Sequence, residues 1–289
     1  MDSVLTFIVF WEKEALTKQN KRIKESVLDS CIIKYQRYNF EHIRKSVDTL
    51  VESGLIMRYD AAEEDIYAIE PDKHPLASYY RNSIIHHFMY KAIIDLSLVK
   101  LRELEEDQDG ETLTEIFWTE TEHLRDLFKF EFFFPSKEQY REEIIKELDR
   151  VDPDWAAKMA KGGSSLRRLT REFQPYFAHA VFLPFIESYT VVFEILARMG
   201  ADEQIDKESF VEKALKQGRQ AYMLRRITSE ASIGKILFEN GLKLATNKGL
   251  TEESSADVIK QRKRMLREFR ELSRRMETLR IKTTKHFLL

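Results

Sequence analysis

Apolar residues recur every three or four positions along most of this chain, and every second position in one short stretch. Residues 12–39 carry the helical pattern through Ile23, Val27, Leu28 and Cys31, with lysines on the other face. Phe40 to Ser53 repeats it with Ile43, Val47, Leu50 and Val51, and Gly54 stands where a glycine ends a helix. The period then changes. Leu55-Ile56-Met57-Arg58-Tyr59 and Ile66-Tyr67-Ala68-Ile69 predict two strands joined by an acidic Asp60–Asp65 turn. A helix followed by a β-hairpin is the outline of a winged helix, and Pro71 and Pro75 close this unit.

From Leu76 to about Leu104 the spacing predicts one long helix, with Tyr79, Ser83, His86, His87, Tyr90, Ile94, Leu98 and Leu101 on or beside one stripe. A solvated break follows over Glu105–Gly110, then helices around 111–131 and 136–150. Asp152-Pro153-Asp154 punctuates the chain, and Lys161-Gly162-Gly163-Ser164-Ser165 predicts a mobile loop. Phe173 to Met199 is the most apolar long helix, open to interruption at Pro175 and Pro184. Helices over 210–215 and 231–244 come next, and Gly249 precedes the last. The fold class is therefore mainly α: a helical bundle with one small, winged-helix-like β-hairpin near residues 40–70. Two parts are expected, a helical N-terminal part with the winged unit over 1–75 and the bundle over 76–289.

Composition sharpens this picture by exclusion. Nine glycines and six prolines in 289 residues are about 5%, against roughly 12% on average, too few turn formers for an all-β sandwich or barrel. A single cysteine, Cys31, excludes an internal disulfide and any multi-cysteine metal site, as expected of a reduced compartment. The apolar run Val4–Trp11 is eight residues long, while a spanning helix needs about 20. Acidic Asp2 and the lack of a small-residue cleavage site argue against a signal peptide. That run reads as a packed helix or as an interfacial anchor. No other uncharged apolar run approaches spanning length, so a peripheral membrane or cytoplasmic protein without a transmembrane segment is expected.

Charge is unevenly placed. Lys+Arg 47 against Asp+Glu 49 gives −2 overall, unlike a generally basic nucleic-acid binder. Residues 259–289, however, hold eleven Lys/Arg against three glutamates, a net +8, which leaves −10 for the rest. Leu266, Phe269, Leu272, Met276 and Leu279 line one face of that segment, making it a basic amphipathic helix. Its basic face either pairs with acidic helices of its own bundle or meets anionic lipid headgroups, and the two readings can coexist. Lys260, Arg262, Lys263, Arg264, Arg267, Arg270, Arg274 and Arg275 are the candidate membrane contacts. Across residues 34–74 six Lys/Arg face nine Asp/Glu, so the winged outline reads as a packing module, with DNA binding as the competing class.

Candidate chemistry is sparse. His86 and His87 point about 100° apart on a helix and cannot chelate one ion together without other ligands. Glu120-x-x-His123 has the spacing used by carboxylate di-iron bundles, which need it twice, and reads as a surface pair. Cys31 on its apolar stripe reads as a buried structural thiol. Phosphate-loop, dinucleotide, zinc-protease and nucleophile-elbow motifs are missing, and neither a cofactor nor a metal is implied.

Ile66-Tyr67-Ala68-Ile69-Glu70-Pro71-Asp72-Lys73-His74, followed by Tyr79-Tyr80-Arg81-Asn82-Ser83-Ile84-Ile85-His86, resembles the glycerol-3-phosphate acyltransferase family in the region after its catalytic domain. The resemblance continues, in order, at Leu127–Pro135, Phe182–Tyr189 and Ser232–Leu242. It is nearest to the bacterial and mitochondrial branches, with the dihydroxyacetone-phosphate acyltransferases behind them. That family's chemistry uses a histidine with an aspartate five positions on, the imidazole acting as base and the carboxylate orienting it. None of His42, His74, His86, His87, His123, His179 or His286 has that aspartate. The family's Phe-Pro-Glu-Gly block is absent too, so no catalytic residue carries over. The resemblance implies a C-terminal region standing as a fragment, split subunit or diverged paralogue. Such a region supports or regulates phospholipid synthesis beside an acyltransferase catalytic domain or subunit, and leaves apolar docking surface exposed. An active acyltransferase and a winged-helix scaffold are the alternatives.

Overall fold

A computed structural model describes residues 40–59, 66–82, 85–104, 110–200, 203, 205–251 and 255–288. The predicted helix over 12–39, the Val4–Trp11 run, Cys31 and the Asp60–Asp65 turn lie outside the described residues. Helix α1 (Phe40–Glu52) ends where its glycine predicts: Gly54, at φ +70°, turns the chain so that the Leu55 and Ile56 amides both donate to the Leu50 carbonyl. Strands β1 (Met57–Tyr59) and β2 (Ile66–Ala68) pair antiparallel, with Met57 opposite Ala68 and Tyr59 opposite Ile66. Leu50, Leu55, Ile56 and Ala77 form a small core of their own, with Val47, Val51, Tyr67 and Ile69 against it. Ala77 belongs to α2 (His74–Asn82), so the helix that leaves the winged unit also completes it.

The single helix expected over 76–104 is two. After α2 come one 3-10 turn, Ile85–Phe88, and then α3 (Met89–Leu104). The reason lies in the two cores. Ala77 faces the small one, whereas Ile93, Ile94, Leu96, Leu98 and Leu101 are all buried in the large one. One straight helix cannot serve both. Tyr79, expected on the apolar stripe, is 72% exposed, and His86 and His87 face solvent as well.

The large bundle comprises α3, α4 (Gly110–Leu127), α5 (Lys137–Val151), α6 (Trp155–Lys161), α7 (Gly163–Glu172), α8 (Ala178–Arg198), α9 (Lys207–Met223), α10 (Lys235–Asn247) and α11 (Ala256–Leu288). Helices α3, α9, α10 and α11 pack around α8, while α4, α5 and α7 pack on α3. Aromatic pairs seal the seams: Phe182 stacks on Phe128 at 4.4 Å between centroids, and Phe193 on Phe269 at 5.2 Å.

Two further expectations change. Residues 161–165 form a tight corner instead of a loop: Gly162 and Gly163 both take positive φ, and α7 starts directly after α6. A Cβ on Gly162 would also come within 3.2 Å of Leu113 Cδ1. The helix expected over 173–199 begins only at Ala178, with Pro184 inside it. At 21 residues α8 has the length and apolarity to cross a membrane, but it is not an uncharged run, since it carries Glu187 and Glu194, and its neighbours bury most of it. It is the central core helix of the bundle.

Candidate functional site

Two of the segments that carry the family resemblance, 127–135 and 232–242, meet a third, 182–189, on α8. Glu131, on the turn after α4, accepts from the Tyr189 hydroxyl at 2.7 Å and from the Asn240 side-chain amide at 3.3 Å. Asn240 also donates to the Phe130 carbonyl at 3.2 Å. Just before Tyr189 on α8, Glu187 accepts from the Thr228 backbone amide and hydroxyl, both at 2.8 Å, and from the Ser232 hydroxyl. The Ser188 hydroxyl is shared between the Pro184 and Ser232 carbonyls. Burial pushes the Glu131 and Glu187 carboxyls up, against the pull of these donors. Gly241 lets α10 close on α8, since a Cβ there would lie 3.0 Å from Val192 Cγ2 and 3.1 Å from Tyr189 Cδ1. These polar groups are spent on one another, tying the 128–135 turn, the 228–232 connection and α10 to one central helix.

A second buried constellation was not found from the sequence. Helix α3 inserts Lys91 and Asp95 between the end of α7 and the start of α8. The Lys91 ammonium donates to the Phe173 and Pro175 carbonyls at 2.6 and 2.8 Å and pairs with Asp95 at 3.3 Å. Asp95 accepts from the Phe177 and Ala178 amides at 2.6 and 3.3 Å. An anion thus sits at the N-terminus of α8, where the helix dipole favours it. Burial pushes the Asp95 carboxyl up to about 6, opposed by the Lys91 charge and the two amides. Burial lowers the Lys91 ammonium, and burial with the nearby Lys91 charge holds His179 down at about 4. The available signal was Lys91 and Asp95, the two charges inside the otherwise apolar Met89–Val99 stretch.

The candidate chemistry is rearranged. Glu120 and His123 are not partners. Glu120 is buried between Lys100 and Arg275, while His123 pairs with Glu268 on α11, both partly exposed. The side chains sort by where α4 faces α3 and α11, which spacing within α4 cannot show. The His86 and His87 rings lie against each other, 3.8 Å between centroids. Among the described residues no group of three or more His, Cys, Asp or Glu converges on a metal position.

The basic face of α11 divides in two. Arg270 pairs with Glu194 at 3.0 Å, Arg274 with Glu103 at 2.8 Å, and Arg275 with Glu103 at 2.8 Å and Glu120 at 3.5 Å. Lys260, Lys263, Arg264 and Arg267 are exposed, share one helical face and form no ion pair among the described residues. Two of the eight candidate contacts turn inward. Arg262 is only 1% exposed and its Nε donates to the Leu250 carbonyl at 2.7 Å, and Arg275 is buried among its acids. The rotation of the helix turns both toward the core.

The geometry defines a mainly helical module with hydrogen-bonded polar groups buried in its interior. The chain matches the family described as the glycerol-3-phosphate acyltransferase C-terminal region over residues 30–254, and it belongs to that family. It is similar to the protein described as "Putative acyltransferase plsB1" of Mycobacterium bovis and of Mycobacterium tuberculosis, 30% identical over 242 residues. The match covers 83% of this chain but only 38% of those relatives, as the C-terminal part of a larger protein.

Proposed function

We propose that this chain is a non-catalytic C-terminal region that supports glycerolipid synthesis by an acyltransferase domain and holds it, peripherally, at an anionic membrane surface. One observation carries the reading: Glu131, Glu187, Ser188, Tyr189, Ser232 and Asn240, all from family-like segments, bond to one another inside the bundle. Groups so engaged brace a scaffold, their donors and acceptors spent on one another. The winged unit and the bundle serve as two parts of that scaffold, and the acyltransferase domain is its partner. The free stripe Lys260, Lys263, Arg264 and Arg267 supplies attraction for anionic headgroups, roughly 1 kcal/mol per cation near the surface.

Two measurements test this together. The purified chain, given acyl-CoA and glycerol 3-phosphate, is expected to show no turnover above blank. It is also expected to co-sediment with anionic vesicles, and replacing the four stripe cations with glutamine should weaken that binding. Binding indifferent to vesicle charge would sink the membrane half. A second reading, an active acyltransferase, has one observation in its favour, the His123–Glu268 imidazole–carboxylate pair. Turnover abolished by His123→Gln would overturn the non-catalytic reading.

A further inference from the structure

The connection from α9 to α10 holds a run of exposed apolar side chains beside two arginines. Five consecutive residues, Tyr222 to Arg226, are exposed. Met223 is 81% and Leu224 57% exposed, and Ile236, in the first turn of α10, is 72% exposed. Helix α9 packs on α10, with Gly218, one turn before Tyr222, against Ile233 and Phe238. Arg225 and Arg226 follow directly and form no ion pair among the described residues. Glu230 is the exposed acid of this connection.

The backbone adds an independent sign. Arg225 ends α9 at φ +55°, the left-handed position that glycine favours, with the Arg226 amide donating to the Ala221 carbonyl at 2.8 Å. An arginine there costs stability that a glycine would recover. The fold is firm beneath the exposed tip, because the Glu187 carboxylate holds Thr228 and Ser232 of the same connection to α8.

We propose that this α9–α10 knuckle inserts into the interface of an anionic lipid bilayer. Tyr222, Met223, Leu224 and Ile236 enter the headgroup–acyl boundary, while Arg225 and Arg226 contact phosphate above it. An apolar tip ringed by cations fits that layered surface, where apolar burial and headgroup attraction add. A protein groove would match the apolar tip, but it would need its own acids opposite both arginines. This inference rests on the membrane reading above and names a surface distinct from the α11 stripe. The stripe attracts by charge alone; the knuckle anchors.

The test uses the full chain with vesicles of phosphatidylcholine, with and without phosphatidylglycerol. Met223→Ala/Leu224→Ala/Ile236→Ala should lower partitioning onto anionic vesicles about tenfold or more. Arg225→Gly should raise the thermal midpoint while weakening binding roughly fivefold, a pairing that a general folding defect cannot produce. A polarity-sensitive dye on Met223→Cys, with Cys31→Ser, should shift to the blue on binding and be quenched by nitroxides on the acyl chains. Vesicle binding that survives the knuckle variants, leaves the dye unshifted and vanishes with the stripe variant would overturn the knuckle while leaving the membrane reading intact. Binding to no vesicle would overturn both. Knuckle variants that lose a co-expressed acyltransferase domain but keep vesicle binding would reassign the surface to protein docking and overturn the lipid proposal.

Discussion

In the winged unit, four buried apolar residues, Leu50, Leu55, Ile56 and Ala77, hold one helix and two three-residue strands together. The bundle instead encloses ionisable groups among its aromatic layers: Lys91, Asp95 and Glu187 are all buried, each with partners from a distant segment. The contrast teaches how far each part can specify itself. A core of four residues gains little from burial and depends on α2 both to cover it and to tie it to the bundle. A large bundle tolerates buried charge, and gains from it a defined register, because each ion accepts only one arrangement of donors and acceptors around it.

The sharpest way to break this comparison is Asp95→Ala. It strands the buried Lys91 ammonium and frees the two amides that open α8. A loss of about 3–5 kcal/mol is expected in urea unfolding. An unchanged midpoint would mean that the buried ions carry no structural weight. Next in size, Ile56→Ala should cost the winged unit about 2–4 kcal/mol. Amide exchange should accelerate over 40–59 and 66–69 while the bundle keeps its protection; equal acceleration throughout would show one cooperative core.

His179 gives a pH-dependent test. Its folded value of about 4 lies below the ordinary 6.5, so the folded state requires the neutral ring. Its contribution is present at neutral pH and is lost as pH falls through 6.5 toward 4. Asp95, raised to about 6, works in the opposite direction, since its protonation favours the folded state. His179→Gln should therefore lose roughly 2 kcal/mol less than the parent chain between pH 7 and pH 5. Parallel pH profiles for the two proteins would remove His179 from this account. The smallest effect belongs to the surface: Arg270→Ala breaks the exposed pair with Glu194 and should cost only about 0.2–1 kcal/mol by thermal unfolding.

Much of this architecture was legible in the residues. The change from helical to alternating period placed the hairpin, Gly54 ended α1 at a positive φ, and the α11 stripe buried Phe269, Leu272, Met276 and Leu279. Other features were not. The 76–104 segment reads as one helix because its apolar spacing stays in phase across the break, although its two halves serve different cores. Arg262 looked like one more surface cation in a basic run, and only the rotation of α11 against Leu250 turned it inward. Glu120 and His123 share a helix and a spacing, yet each found its partner on another helix.

The sequence by itself determined which segments coil, where a glycine must turn the chain and where positive charge collects, because these depend on neighbours within a few residues. Only the tertiary structure decided which charges are spent and which stay free. Asp95 meets an amide 82 positions away and Arg275 a carboxylate 172 positions away, distances over which local spacing carries no information. Helix periodicity fixes the face a residue lies on, but the packing of other helices against that face decides whether it meets water, an opposite charge or the core.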